Sequence, residues 1–382
     1  MRIEADWLIA PGAARLFSLL NDAGYNAFAV GGCVRDAILR RPVTDVDLST
    51  DARPERVMEL AAEAGLHAVG TGIDHGTVTV VSEGVPYEIT TFRRDVETDG
   101  RRAVVAFSDS LDDDARRRDF TMNALYADSS GEVVDPLGGL GDLRAGRVRF
   151  IEDAETRIRE DYLRSLRYFR FHAWYGDPSL GFDPDALDAI ARTVEGLETL
   201  SRERVGAEMK RLLAAPDPAP ALAAMRVTGV LPAILPGSDD TALAPLVALE
   251  SLAGVEPDAL RRLAALGGDP SDALRLSRKE TDRLSGIVEA GGLAPGEAGY
   301  RFGSETARDA MLVRAASLGR PLTDELETAE HGAAKKFPVV AADLMPRFEG
   351  HRLGAELKRL ERLWIESGFV LDREALLDDK PG

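Results

Sequence analysis

The chain changes character once, near residue 150, and this change constrains the fold more than any single motif. Before it, short strand-like runs alternate with helical ones: "AFAVGG", "VRDAILRR", "DVDLST", "RPERVMELAAEAG", "GTVTVVSE", "VPYEITTF" and "RVRFI". After it, apolar residues recur at helical spacing and β-rich runs nearly vanish, as in "DYLRSLRYFRFHAWYG", "RERVGAEMKRLLAA" and "GAELKRLERLWIESGF". The pattern predicts an α/β head followed by an all-helical assembly. Pro/Gly-rich joints near "PDPAP" and "FPVVAADLMPRF" divide the helical part. The polar, aperiodic "VETDGRRAVVAFSDSLDDD", from Val96 to Asp114, reads as a mobile loop.

A net charge of −18 argues against a protein that coats nucleic acid non-specifically, because neutralising phosphates needs clustered Lys and Arg. A local basic groove remains open to it. Most of the positive charge is arginine, whose planar fork suits bidentate phosphate or base contacts. The lone cysteine, Cys33, leaves no disulfide partner within the chain. No secretory signal pattern and no apolar run of roughly 18 residues occurs, so the expected address is the cytoplasm, with no membrane partner.

Gly31 and Gly32 follow the strand-like "AFAV" and precede "VRDAILRR". There, backbone amides at a helix start can face an anion, although a glycine pair at a strand-to-helix turn is equally ordinary turn chemistry. Asp45 and Asp47 come next. In a strand, residues two apart point to the same face, so the two carboxylates would share a small volume. Such a pair is held by a cation between the two or by a proton on one of them. Oxygen ligands without His or Cys suit Mg²⁺, bound jointly with substrate phosphates. Glu88 in "YEITTFR" is the candidate third carboxylate on a neighbouring strand, or else an outward-facing solvated acid. Competing sites fail: no Gly-x4-Gly-Lys-Ser/Thr occurs, and the five histidines stand apart, so a zinc site lacks ligands.

Farther on, "ARRRDFTMNALYAD" sets Arg116, Arg117 and Arg118 before Asp119, read here as a helix cap with Phe120 and Leu125 in the core. Three arginines at a helix start oppose the macrodipole, and a nearby anion would explain them. In "EDYLRSLRYFRF", Asp161, Arg164, Arg167 and Arg170 recur every three residues, so on one helix they share a face while Leu163, Leu166 and Phe169 pack behind. An intrahelical salt-bridge lattice would account for the same spacing. Alternatively, a carboxylate acceptor beside a guanidinium donor matches the Watson–Crick edges of cytosine and adenine. Guanine and uracil present the reverse order and would leave groups unpaired.

Together, "GGCVRDAILRRPVTDVDLST", "RRDFTMNAL", "DPLGGLGDL", "EDYLRSLRYFRF" and "SRERVGAEMKRLL" resemble the five ordered motifs of class II tRNA nucleotidyltransferases, the CCA-adding enzymes, and of related bacterial poly(A) polymerases. The resemblance covers about residues 20 to 215. It implies a DNA polymerase β-like mixed-sheet nucleotidyltransferase head (1–150), then a helical neck (151–215), body (216–335) and RNA-binding tail (336–382). It implies that Gly32 and Arg35 hold the triphosphate, that Asp45 and Asp47 hold Mg²⁺, and that Arg118 contacts the nucleotide. Asp161 and Arg164 would select the base, with Arg167 and Arg170 supporting phosphates or orienting that pair. "DPLGGLGDL" resembles a hinge, and "SRERVGAEMKRLL" a bracing helix turn with Ser201 and Glu203 at its cap. Where the family signature often reads Glu-Asp-Pro-Leu-Arg, Tyr162 replaces the proline. The implied activity is addition of CCA to the tRNA acceptor end from CTP and ATP. Poly(A) synthesis, CC-only or A-only addition, or a catalytically silent tRNA-binding relative are the alternatives.

Overall fold

A computed structural model of the protein describes residues 1–99 and 102–379. Contacts divide it into two compact units, Met1–Val205 with Ala224–Ile234, and Gly206–Ala223 with Leu235–Gly382.

The first unit is built on a mixed seven-stranded sheet. Its strands are β1 (Ala27–Val30), β2 (Asp47–Thr50), β3 (His67–Gly72), β4 (Thr77–Ser82), β5 (Val85–Thr91), β8 (Tyr126–Ala127) and β9 (Val133–Val134), in the order β3-β4-β5-β2-β1-β8-β9. A separate two-stranded ribbon joins β6 (Arg93–Asp99) to β7 (Arg102–Phe107). Strands β2 and β5 run parallel, while β1 pairs antiparallel with both β2 and β8. The β2–β5 register sets Leu48 against Ile89 on the core face and Asp47 against Glu88 on the other, because side chains alternate along a strand. Leu48, Val78, Val80 and Ile89 are all buried, and this apolar face fixes the register.

Three local readings are corrected here. The segment 96–114 is not one loop: β6 and β7 pair, and a helix α2 (Leu111–Arg116) follows, capped by Ser110; residues 100 and 101 lie outside the described residues. The short apolar run of "RAVVAF" is flanked by polar residues that hide it as a strand. "RVRFI" contributes only an isolated bridge, Phe120 to Phe150, its aromatic ring joining Phe120 and Tyr168 in a buried cluster. The arginine run does not start a helix; Arg116 ends α2 and Arg117 caps it, where the macrodipole favours cations.

Helices complete this unit. The helix α1 (Gly32–Ile38) follows β1, and α3 (Gly139–Ala145) packs so closely on the 3₁₀ turn Thr121–Asn123 that a Cβ at Gly139 would lie 2.0 Å from the Thr121 carbonyl oxygen. Asp135 caps α3 by accepting from the Gly139 and Leu140 amides. Next come α4 (Ala154–Glu160) and α5 (Leu163–Tyr175), whose Leu163, Leu166 and Phe169 are buried as the spacing predicts.

Among its described residues the second unit is built of helices, with one isolated bridge between Ser238 and Gly267. A helix at Pro295–Ser317 meets another at Glu325–Ala333 through bare glycines; a Cβ at Gly299 or Gly332 would strike backbone at 1.8 or 2.0 Å. Its buried charges close on one another, with Arg261 and Arg262 sharing Glu250. Near its end, Trp364 packs with Tyr300, Phe337 and Phe369. No helix among the described residues is long and apolar enough to cross a membrane.

Candidate active site

The start of the central strand β2 gathers the head residues singled out by the sequence. Asp47 opens β2 and pairs in register with Glu88, which places both carboxylates on one face. Asp45 lies two residues before Asp47 but outside the strand, exposed, with Thr44 donating to it. The two aspartates are therefore not fixed together by strand geometry. Glu88 is the better-registered neighbour. Desolvation pushes the Asp47 carboxyl above its ordinary range and the Glu88 charge pushes it further; Arg118 opposes this and Asp45 adds to it.

Like charges crowded in this way suit a hard cation that completes its shell with phosphate oxygens and water. Among the described residues no three His, Cys, Asp or Glu converge as a full ligand set. A metal at Asp47, with Asp45 or Glu88, would thus draw the rest of its ligands from substrate and solvent.

Behind the carboxylates, Arg118 is held in place by a buried carboxylate. Asp114, fully buried, accepts from Ser49 Oγ (3.3 Å), Arg117 Nε (2.8 Å), Arg118 Nη2 (3.0 Å) and the Tyr126 hydroxyl (2.8 Å). Burial alone would raise its pKa, but the Arg118 and Arg117 charges and hydrogen bonds hold it far below the usual range. Arg118 Nε donates to Tyr126 at 3.1 Å. Its Nη1 makes no hydrogen bond to a described residue and lies 3.4 Å from where a Gly31 Cβ would stand. Gly31 adopts φ 71°, so its glycine identity serves the left-handed backbone, and Arg118 packs within ordinary contact of it.

The glycine turn differs in part from expectation. The Gly31 amide donates to the Leu125 carbonyl at 3.0 Å and is not available to an anion. Arg35 is buried, with Nη1 on Asn123 (2.7 Å), Nη2 on the Tyr175 hydroxyl (2.7 Å) and a fork on Asp36. Its guanidinium lies 4.2 Å from the Tyr175 ring centroid. These contacts make Arg35 a pillar between α1 and α5.

Asp161 and Arg164 do not share a helix. Asp161 is extended (φ −153°, ψ 105°) at the joint between α4 and α5, and its carboxylate accepts from Arg204 Nη2 (2.7 Å) and the Leu163 amide (3.2 Å). Arg164 reaches the other way, to Glu160 and to the carbonyls of Arg157 (2.8 Å) and Arg117 (3.1 Å). Its Nε and one Nη2 proton have no partner among the described residues. The run "RIREDY" carries no Gly or Pro, so the break in the helix left no mark in the sequence.

Arg167 pairs with buried Asp119, whose carboxyl burial would raise; the Arg167 charge and the Asn123 bond outweigh this and hold it at about 2. Asp119 thus braces α5 instead of capping a helix. Arg170 lies over the Phe171 ring at 4.5 Å from its centroid. Asp114, Ser49, Tyr126, Asn123 and Arg204 were missed by sequence reasoning. Asp114 stands four residues before Arg118, a spacing that could have marked the pair.

A separate open cleft of about 550 Å³ in this unit, lined in part by Arg116, Glu152, Asp188 and Arg192, includes none of these site residues. Its arginines are spent on neighbouring acids, Arg116 on Glu152 and Arg192 on Asp188.

The chain is similar to known proteins in sequence and fold. The profile of the Poly A polymerase head domain matches residues 27–149, and that of the probable RNA and SrmB-binding site of polymerase A matches 180–241. The chain is 37% identical to the CCA-adding enzyme of Geobacillus stearothermophilus, over 81% of this chain and 78% of that one. It is 30% identical to human mitochondrial CCA tRNA nucleotidyltransferase 1, over 98% and 91% of the two chains. The crystal structure of the Bacillus stearothermophilus CCA-adding enzyme in complex with CTP superposes with a TM-score of 0.71 at 31% identity, covering 93% of this chain and 92% of that one. An α/β head whose central strands carry paired carboxylates, continued by helices, is thus found here with the sequence of a known group: the chain belongs to the class II CCA-adding enzyme and poly(A) polymerase family of nucleotidyltransferases.

Proposed function

We propose that this chain builds or repairs the 3′-terminal CCA of tRNA in the cytoplasm, consuming CTP and ATP and releasing pyrophosphate. The observation that carries the reading is the union of family membership with Asp47 and Glu88 in register beside a half-satisfied Arg118. In such a reaction the primer 3′-hydroxyl attacks the α-phosphate in line, and the protein contributes position and charge more than covalent chemistry. Asp47, with Asp45 or Glu88, would hold Mg²⁺, which when bound supplies charge neutralisation at the phosphates.

Arg118, fixed by Asp114 and Tyr126, offers Nη1 to the triphosphate in front of Gly31. Arg35 orders the surrounding turn from its buried position. Arg164 offers Nε and an Nη2 proton to acceptors on the base edge, and Asp161 accepts from the exocyclic amine that cytosine and adenine have in common. Arg167 and Arg170 brace this helix. Helices of the second unit would grip the acceptor stem by shape and phosphate contacts.

The polymerase A names of the matching profiles make poly(A) addition the second reading. Incubating tRNA that lacks its CCA with CTP, ATP or both, then sizing the products, separates the two. CCA addition gives two added nucleotides with CTP alone, three with both and none with ATP alone. Long tails with ATP alone would replace this reading by polyadenylation.

A further inference from the structure

Tyr162, one residue past Asp161, lies directly on Gly196 in the 3₁₀ turn Val194–Thr199. A Cβ built on Gly196 would stand 1.9 Å from Tyr162 Cε1, 2.2 Å from Cδ1 and 2.3 Å from Cζ. Gly196 does not need to be glycine for its backbone, since it is not among the glycines of positive φ. Its bareness makes room for the tyrosine ring. The same stretch of chain continues into the helix Arg202–Leu213, and Arg204 at its start holds the Asp161 carboxylate at 2.7 Å. The joint between α4 and α5 is therefore gripped at two consecutive residues, by charge at Asp161 and by ring contact at Tyr162.

The backbone explains why a ring contact is needed. Tyr162 has φ −60°, the value that a proline ring fixes, and Asp161 before it is extended, the conformation a following proline favours. Tyrosine by itself leaves that φ free to vary. Seating the ring on Gly196 restores the restriction from outside the backbone.

We propose that the Tyr162–Gly196 contact is a specificity-determining positioning device, which holds the Asp161 turn, and with it Arg164, in the pose that distinguishes nucleotides. The proposal rests on the reading of Asp161 and Arg164 as the base-selecting pair. Neither Tyr162 nor Gly196 touches the nucleotide in this account; both act through Asp161.

The test uses the full chain and compares incorporation of CTP against UTP, and ATP against GTP, with kcat and KM measured separately. Gly196→Ala adds one methyl that displaces the ring. It is expected to lower the preference for the correct nucleotide about tenfold, through the KM for nucleotide and not for tRNA. Tyr162→Ala, which adds no bulk and guards against a folding defect, is expected to relax choice in the same direction, and adding Gly196→Ala to it should cause no further loss. Tyr162→Pro combined with Gly196→Ala is expected to restore discrimination, because proline fixes the same φ without a ring. Unchanged discrimination in Gly196→Ala and Tyr162→Ala overturns the proposal, as does a loss that Tyr162→Pro does not repair. Asp161→Ala is the control: if it relaxes choice while the Gly196 and Tyr162 variants do not, the base-selecting reading stands and only the positioning device falls. If Asp161→Ala itself leaves choice intact, both fall.

Discussion

Two arginines, Arg262 and Arg164, show how differently this chain treats the same side chain. Arg262 is almost completely buried, and every one of its N–H groups is donated: Nε and Nη2 to Glu250, Nη1 to the carbonyls of Leu213 and Ala215, and Nη2 also to that of Pro216. Arg164 is held on one side only, by Glu160 and two carbonyls, with donors left over. The carboxylates divide in the same way. Asp114 receives four donors and sits far below its ordinary pKa, whereas Asp47 faces Glu88 and sits above it. Completed charge networks hold the fold together. Incomplete ones, which cost stability while no ligand is bound, mark the site.

The largest effect expected from this contrast is at Asp47. Replacement by Asn should reduce incorporation by about a thousandfold or more while raising the melting temperature, since a neutral amide removes the repulsion from Glu88 and Asp45. A drop in both would place Asp47 among the structural carboxylates. The converse case is Arg262→Met, which leaves Glu250 and three carbonyls short of donors in the interior and should cost about 3–5 kcal/mol in denaturant unfolding. Nucleotide preference per folded molecule should not change.

A smaller effect concerns acid. Asp119 is depressed from 3.8 to about 2 in the folded state, so its contribution of about 2 kcal/mol is complete above the unfolded value and is lost as pH falls from about 4 toward 2. Arg167→Met should flatten that part of the stability–pH curve, because the Arg167 charge is the main force lowering the pKa. An identical curve in the variant would exclude the pair as the cause.

Much of this was legible in the sequence, for reasons that differ along the chain. The head strands β1, β4 and β5 follow from short apolar runs beside Gly31, Gly76 and Gly84, β2 from the alternation in "DVDLST", and Leu163, Leu166 and Phe169 pack where helical spacing puts them. Glu88 stands out in the sequence as a third carboxylate, but its register with Asp47 depends on a β2–β5 pairing across about 40 residues that no local pattern encodes. The joint at Asp161 escaped because Glu160, Asp161 and Tyr162 all tolerate helix. Only Arg204 and Gly196, more than 30 residues downstream, distinguish the extended turn from a continuous helix. Arg35 was assigned to phosphate from its motif, yet Tyr175 and Asn123, distant in sequence, enclose it.

Unspent donors at Arg164 are what should choose the nucleotide. The direct measurement offers tRNA ending in CC all four nucleotides in competition and sequences the added base, for the unmodified chain, Arg164→Ala and Arg262→Met. The account predicts A in the unmodified chain and in Arg262→Met, with mixed bases in Arg164→Ala. Exclusive A addition by Arg164→Ala would contradict it.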